Sequence, residues 1–235
     1  LGQTKKYPLP NPHSRPQAGY YSREHFLSLS VEGKQVLFFL CRLKSITFHS
    51  FFLILHPMTR YQTAVLENGL RIIALSTTSP VVYCGYQLNV GTANELPDEE
   101  GIAHFCEHVT FKGTTRRTAI DVIQCLEQVG GDLNAFTTKT DTVYYSAILK
   151  DHLPRAIDLL TDIVFHSTYP QKEINKEVEV ICDEIESYND SPAELIYDEF
   201  ENIIFRGHPL GHSILGTAER VRKFTTEDAL RFTQK

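Results

Sequence analysis

The order in which the apolar period changes along this chain admits few folds. Two strand-like runs flank Asn68-Gly69 in TRYQTAVLENGLRIIALST (59–77), a strong short-range hairpin signal. Period-two patterning predicts strands at 62–67, 70–76 and 81–90. Pro97 and the acidic run Asp98-Glu99-Glu100 then suit the first turn of a helix over about 99–112. A second helix over 119–129 has Thr118 as its cap and Gly130-Gly131 as its stop. Period two returns at 132–138 and 141–149, where Val143, Tyr145, Ala147 and Leu149 share one face. Helical patterns fill 151–166, 171–189, 192–205 and 226–235, with the loop GHPLGHSILGT between the last two. Hairpins, a helical pair, another hairpin and then helices in series predict an α+β fold, with helices packed on a largely antiparallel sheet.

That order begins near Met58, the only methionine. Residues 1–30 are rich in Pro, Ser, Tyr and Gly without a sustained period. Residues 36–55 are apolar but interrupted by Arg42, Lys44 and His49. A membrane span needs about 20 predominantly apolar residues, and two charges near the middle argue against one. No small-residue cleavage site follows, as a signal peptide requires. The expected functional domain is therefore 58–235, with 1–57 an atypical extension that is not part of the native domain. The pattern TTEDALRFTQK stops without a cap or breaker, so the chain reads as truncated there. The formal charge of −6 excludes a general nucleic-acid binder. The cysteines are Cys41, Cys84, Cys106, Cys125 and Cys182, an odd count with no C-x-x-C pair. They read as small apolar residues in a reducing compartment. Without a signal sequence before Met58, the expected location is cytoplasmic.

Chemistry concentrates in GIAHFCEHVTFKGT (101–114). On a helix, His104, Glu107 and His108 fall within an arc of about 100°, while Ile102, Phe105 and Val109 form the opposite, core-facing side. Histidines one turn apart can reach one ion, and the glutamate beside them can contact water at that ion without displacing a ligand. A catalytic zinc takes three protein ligands. A third can come from the acidic stretch 171–201, where most of the eleven carboxylates read as a solvated surface. Its apolar seam is Ile174, Val178, Ile181 and Ile185, and Glu177 and Glu184 both flank that seam. A partly buried carboxylate needs a partner, and periodicity alone does not choose between these two. His208 and His212 are also four apart, but Pro209 and Gly211 place them in a loop. His152 and His166 flank a helix as surface or capping residues, and GGD (130–132) is a helix stop rather than a phosphate loop.

H-x-x-E-H is the inverted zinc-peptidase motif. HFCEH followed by FKGT resembles the pitrilysin/insulinase family, in its smaller, processing-peptidase-like type. The resemblance extends to GGDLNAFTTKTDTVYY, EVEVICDEI and HPLGHSILGT, covering about residues 62–235. It implies that His104, His108 and Glu184 bind zinc (Zn2+), that Glu107 is the general base, and that Glu177 is a second catalytic acid supporting the site without ligating. It further implies that Asn134, Ala135 and Phe136 belong to the strand that takes a peptide substrate in extended form. Cys106 and Val109 stand where the family often has Leu and Met, and are read as packing variants. A second homologous domain or subunit, which closes a chamber around the substrate in that family, is an implied partner, and neither nucleic acid nor a membrane is.

The implied function is zinc-dependent hydrolysis of extended or unfolded peptides, with Glu107 moving the proton from water to the leaving amine. The alternatives are a non-catalytic binding or scaffolding subunit on the same fold, a fragment inactive without its second domain, and a structural zinc site. The last prefers four ligands, and Cys106 points away from the histidine face.

Overall fold

The computed structural model describes residues 61–234; the proposed extension 1–57, the apolar run 36–55 and Cys41 lie outside the described residues. Strands β1 (Tyr61–Val65) and β2 (Arg71–Leu75) form an antiparallel hairpin with Ala64 opposite Ile72. The Leu70 amide donates to the Asn68 side chain at 3.1 Å, and Gly69 takes a positive φ of 84°, the conformation that favoured Gly at this turn. β3 (Val81–Leu88), α1 (Ile102–Thr110), α2 (Ala119–Glu127), β4 (Asp132–Thr137) and β5 (Thr142–Leu149) follow. Then come α3 (Leu153–His166), α4 (Gln171–Asn189), α5 (Pro192–Ile204), α6 (Ala218–Val221) and α7 (Thr226–Thr233). The fold is α+β, as the order of periods predicts. Among the described residues its strands form two sheets rather than one: the β1–β2 pair, and an antiparallel three-stranded sheet in the order β3-β5-β4.

Two apolar clusters build the core. In one, Cys84, Tyr86, Tyr144 and Ile148 of the sheet meet Val122 and Leu126 of α2 and Ala156, Leu159, Leu160 and Ile163 of α3. The buried face of β5 is thus Thr142, Tyr144, Ser146 and Ile148, and the face carrying Tyr145, Ala147 and Leu149 is the more open one. In the other, Ile102, Phe105 and Val109 of α1 meet the α4 seam of Ile174, Val178, Ile181 and Ile185 and, from α7 and the turn before it, Phe224, Ala229 and Phe232. Full burial of each of the larger aliphatic and Phe side chains, such as Ile102, Phe105, Leu159 and Ile181, contributes about 1.5–3 kcal/mol.

α1 is shorter than the 99–112 expected. Gly101 has a φ of 91°, which a right-handed helix cannot include. The acidic run folds instead into a turn, in which Glu99 is buried and accepts from the Leu96 amide at 3.0 Å. α2 begins at a capping box between Thr118 and Asp121. The segment between α1 and α2 is fastened to α3: the buried carboxylate of Asp162 accepts from Thr114 at 2.7 Å, from Arg116 at 3.0 Å and from Arg117.

Candidate metal centre

α1 has no solvated face. His104 and His108 are 6% and 8% exposed, because α1 packs against α4 and α7 and lies beside β4. A polar helix face turned to water is therefore excluded for these histidines. Their rings meet edge to face with centroids 4.6 Å apart. Glu184 of α4 reaches both: its Oε2 lies 3.2 Å from His108 Nε2 and 3.9 Å from His104 Nε2. One donor atom from each of the three residues lies within 4.8 Å of the others.

Glu177 stands on the far side of the His108 ring. Its Oε1 is 3.0 Å from His108 Nδ1, and its Oε2 is 2.6 Å from Lys112 Nζ. Periodicity left Glu177 and Glu184 equivalent; the structure separates them, with Glu184 facing the Nε2 atoms of both rings and Glu177 on His108 Nδ1. Burial would lower the His108 pKa, but hydrogen bonds to Glu177 and Glu184 outweigh it and hold it up at about 9. Burial would raise Glu177, but His108 and Lys112 outweigh that and keep its carboxyl below the usual range. Glu107, beside the cluster, accepts a hydrogen bond from Thr137 Oγ1 at 2.6 Å.

Two imidazoles and a carboxylate suit zinc. Tetrahedral zinc at about 2.0–2.1 Å from each ligand puts donor atoms about 3.3 Å apart, and the observed 3.2 and 3.9 Å are close to that. A carboxylate on the far ring nitrogen is the usual support of a metal-binding histidine. The charge balance agrees. Glu107, Glu177 and Glu184 surround two imidazoles, and this surplus of negative charge, which raises the His108 pKa, favours a positive charge at the cluster.

The profile of the insulinase family, peptidase family M16, matches residues 71–218. The chain belongs to the insulinase family. Among its relatives, an uncharacterized zinc protease of Rickettsia bellii is 39% identical over 176 residues, covering 74% of this chain and 43% of the relative. The uncharacterized zinc protease YmxG of Bacillus subtilis is 38% identical, over 70% of this chain and 40% of its own length. The mitochondrial-processing peptidase subunit beta of Dictyostelium discoideum is 34% identical, over 77% and 38%. This insulinase-family chain thus spans about two fifths of the length of these curated relatives. A protease from Helicobacter pylori shares the fold with a TM-score of 0.70 at 24% identity, over 74% of this chain and 43% of that one. So does a chain described as a peptidase M16 inactive domain from Pseudomonas fluorescens, at 0.67 and 18%, with the same coverage. The fold is therefore shared by a chain described as a protease and by one described as an inactive domain, and side chains must decide the chemistry.

In this family member the expected substrate strand is β4. The sheet order leaves it with one unpaired edge among the described residues. Asn134 and Phe136 are exposed on it and Ala135 is half-buried. Thr137, the last residue of β4, is the one that touches Glu107. Cys106 points towards the Ala229 carbonyl, away from the cluster, and the described cysteines are free thiols. Lys112, Thr137 and Glu95 did not emerge from the sequence. Only the FKGT context around Lys112 offered a signal, because contacts between distant segments leave no periodic trace.

Proposed function

We propose that this chain carries the metal-bearing domain of a zinc-dependent endopeptidase acting on extended or unfolded peptides. The observation that carries the reading is the convergence of His104, His108 and Glu184 from two helices, with Glu107 beside them. In this reading those three residues hold the ion. Bound zinc supplies Lewis acidity towards water and the scissile carbonyl. Glu107 takes the proton from the attacking water and delivers it to the leaving amine. Thr137 fixes the Glu107 carboxylate for both transfers. Glu177 holds the His108 ring with its Nε2 towards the ion, and Lys112 balances the Glu177 charge. The open edge of β4 around Asn134, Ala135 and Phe136 binds peptide backbone as an added strand, which selects for extended chains rather than for one sequence. A second homologous domain or subunit completes the chamber. The shared length with the longer zinc protease relatives supports this part.

Glu107→Gln tests it. The variant is expected to keep wild-type zinc content, read by elemental analysis, and in the full-length protein to lose peptide cleavage by about 10²–10⁴-fold, the usual worth of a general base. Retained cleavage rejects Glu107 as the base. Absence of zinc from both forms transfers the reading to a non-catalytic binding subunit.

A further inference from the structure

The loop 207–217 has no part in the metal cluster, yet its backbone lies against the start of the helix that carries the histidines. A Cβ added to Gly216 would meet the Glu100 carbonyl oxygen at 2.6 Å and Gly101 Cα at 2.7 Å. One added to Gly101 would meet the Leu215 carbonyl oxygen at 2.8 Å. Only two glycines permit this approach.

Side chains fasten the same contact. Glu95, whose side chain is wholly buried, accepts from the Gly101 amide at 3.0 Å and from the Ala103 amide at 2.8 Å. Gly101 has no side chain with which to cap α1, so this carboxylate satisfies the first-turn amides from outside the helix. His212 Nε2 lies 2.9 Å from the same carboxylate. The His212 carbonyl in turn accepts from Lys139 Nζ in the β4–β5 turn. Lys139 also pairs with Glu201 of α5 at 3.5 Å.

We infer that His212, acting through Glu95, is a positioning residue for the metal helix: the loop holds the first turn of α1, and with it the His104 ring, in the register that the three-ligand cluster requires. Ala103, gripped by Glu95, directly precedes His104. A helix start held at two amides by one carboxylate cannot slide or rotate while that carboxylate is anchored, and His212 anchors it to a different part of the chain. The inference rests on the zinc reading of the cluster.

The test uses the 235-residue chain and zinc alone, with affinity read by competition with a chromophoric chelator and stability by thermal unfolding. His212→Phe keeps bulk but removes the donor; His212→Gln restores an N–H. The expected result is a zinc affinity about tenfold weaker for His212→Phe, the low end of the scale for residues that hydrogen-bond a ligand directly, with most of it regained in His212→Gln. Equal affinities in all three proteins, or a Gln variant no better than Phe, overturn the inference. A wild-type chain that binds no zinc overturns the zinc reading and this inference with it, whereas tight wild-type binding unchanged in His212→Phe overturns this inference alone. If His212→Phe does not fold, His212→Ala takes its place. Failure of both to fold, while His212→Gln binds as wild type, makes the pair a structural brace and overturns the positioning role.

Discussion

Each carboxylate near the two histidines has its own environment, and substitution should separate them. Glu177→Gln removes the charge facing both His108 Nδ1 and Lys112. It is expected to weaken zinc binding about 10- to 100-fold without abolishing it. Glu179→Gln, on the exposed side of α4, should leave affinity unchanged in the same chelator competition. Glu95 yields a pH prediction. Burial pushes its carboxyl up to about 6, against the pull of the Ala103 and Gly101 amides and of His212, from an ordinary 4.5. A carboxyl raised on folding contributes stability that is complete below about 4.5 and is lost as pH rises through about 6. That difference is worth about 2 kcal/mol. Glu95→Gln, which cannot titrate, should flatten the wild-type profile between those two values in denaturant unfolding followed against pH.

Helix α1 is held at its start by Gly101 and along its length by α4, and each can be probed. Gly101→Ala forces a left-handed residue to carry a Cβ aimed at the Leu215 carbonyl. Loss of about 1–3 kcal/mol is expected from the strained conformation alone, measured by urea unfolding. Ile181→Ala opens a cavity where α4 meets α1 and should cost about 2–5 kcal/mol. Zinc affinity should fall with it, because Glu184 lies three residues further along α4. Most of these elements were legible in the sequence. α2, α4 and α5 begin where predicted, since Thr118, Pro170 and Pro192 mark their starts locally. The acidic run before α1 misled because charge suits a first turn whether or not the backbone can form one, and Gly101 decides that by a contact with Gly216 far along the chain. The buried parity of β5 was also illegible, since Tyr144 and Tyr145 are alike and only packing on α3 tells them apart. The His104–His108 pair was legible from spacing, whereas Glu184 needed the family resemblance, because Glu177 flanks the same seam.

Across the molecule, the outer face of α5 breaks the usual pattern of a soluble surface. Ile196, Tyr197, Phe200, Ile203 and Ile204 are each more than half exposed, while Asp198 turns inward towards Lys139. Apolar patches of this kind are association liabilities when uncovered. The isolated chain should self-associate in sedimentation runs, and a Phe200→Glu, Ile203→Glu double variant should reduce that without lowering its unfolding temperature. The same long-range wiring bears on how the protein is made. The donor atoms of the cluster come from positions 104, 108 and 184, and the brace on their helix comes from 212. A chain leaving the ribosome at about 5–20 residues per second exposes its two histidines seconds before Glu184 and His212 follow. During that interval the imidazoles face the cell with neither Glu184 nor His212 beside them, so on the proposed zinc reading the three-ligand cluster is complete only after translation has passed the loop.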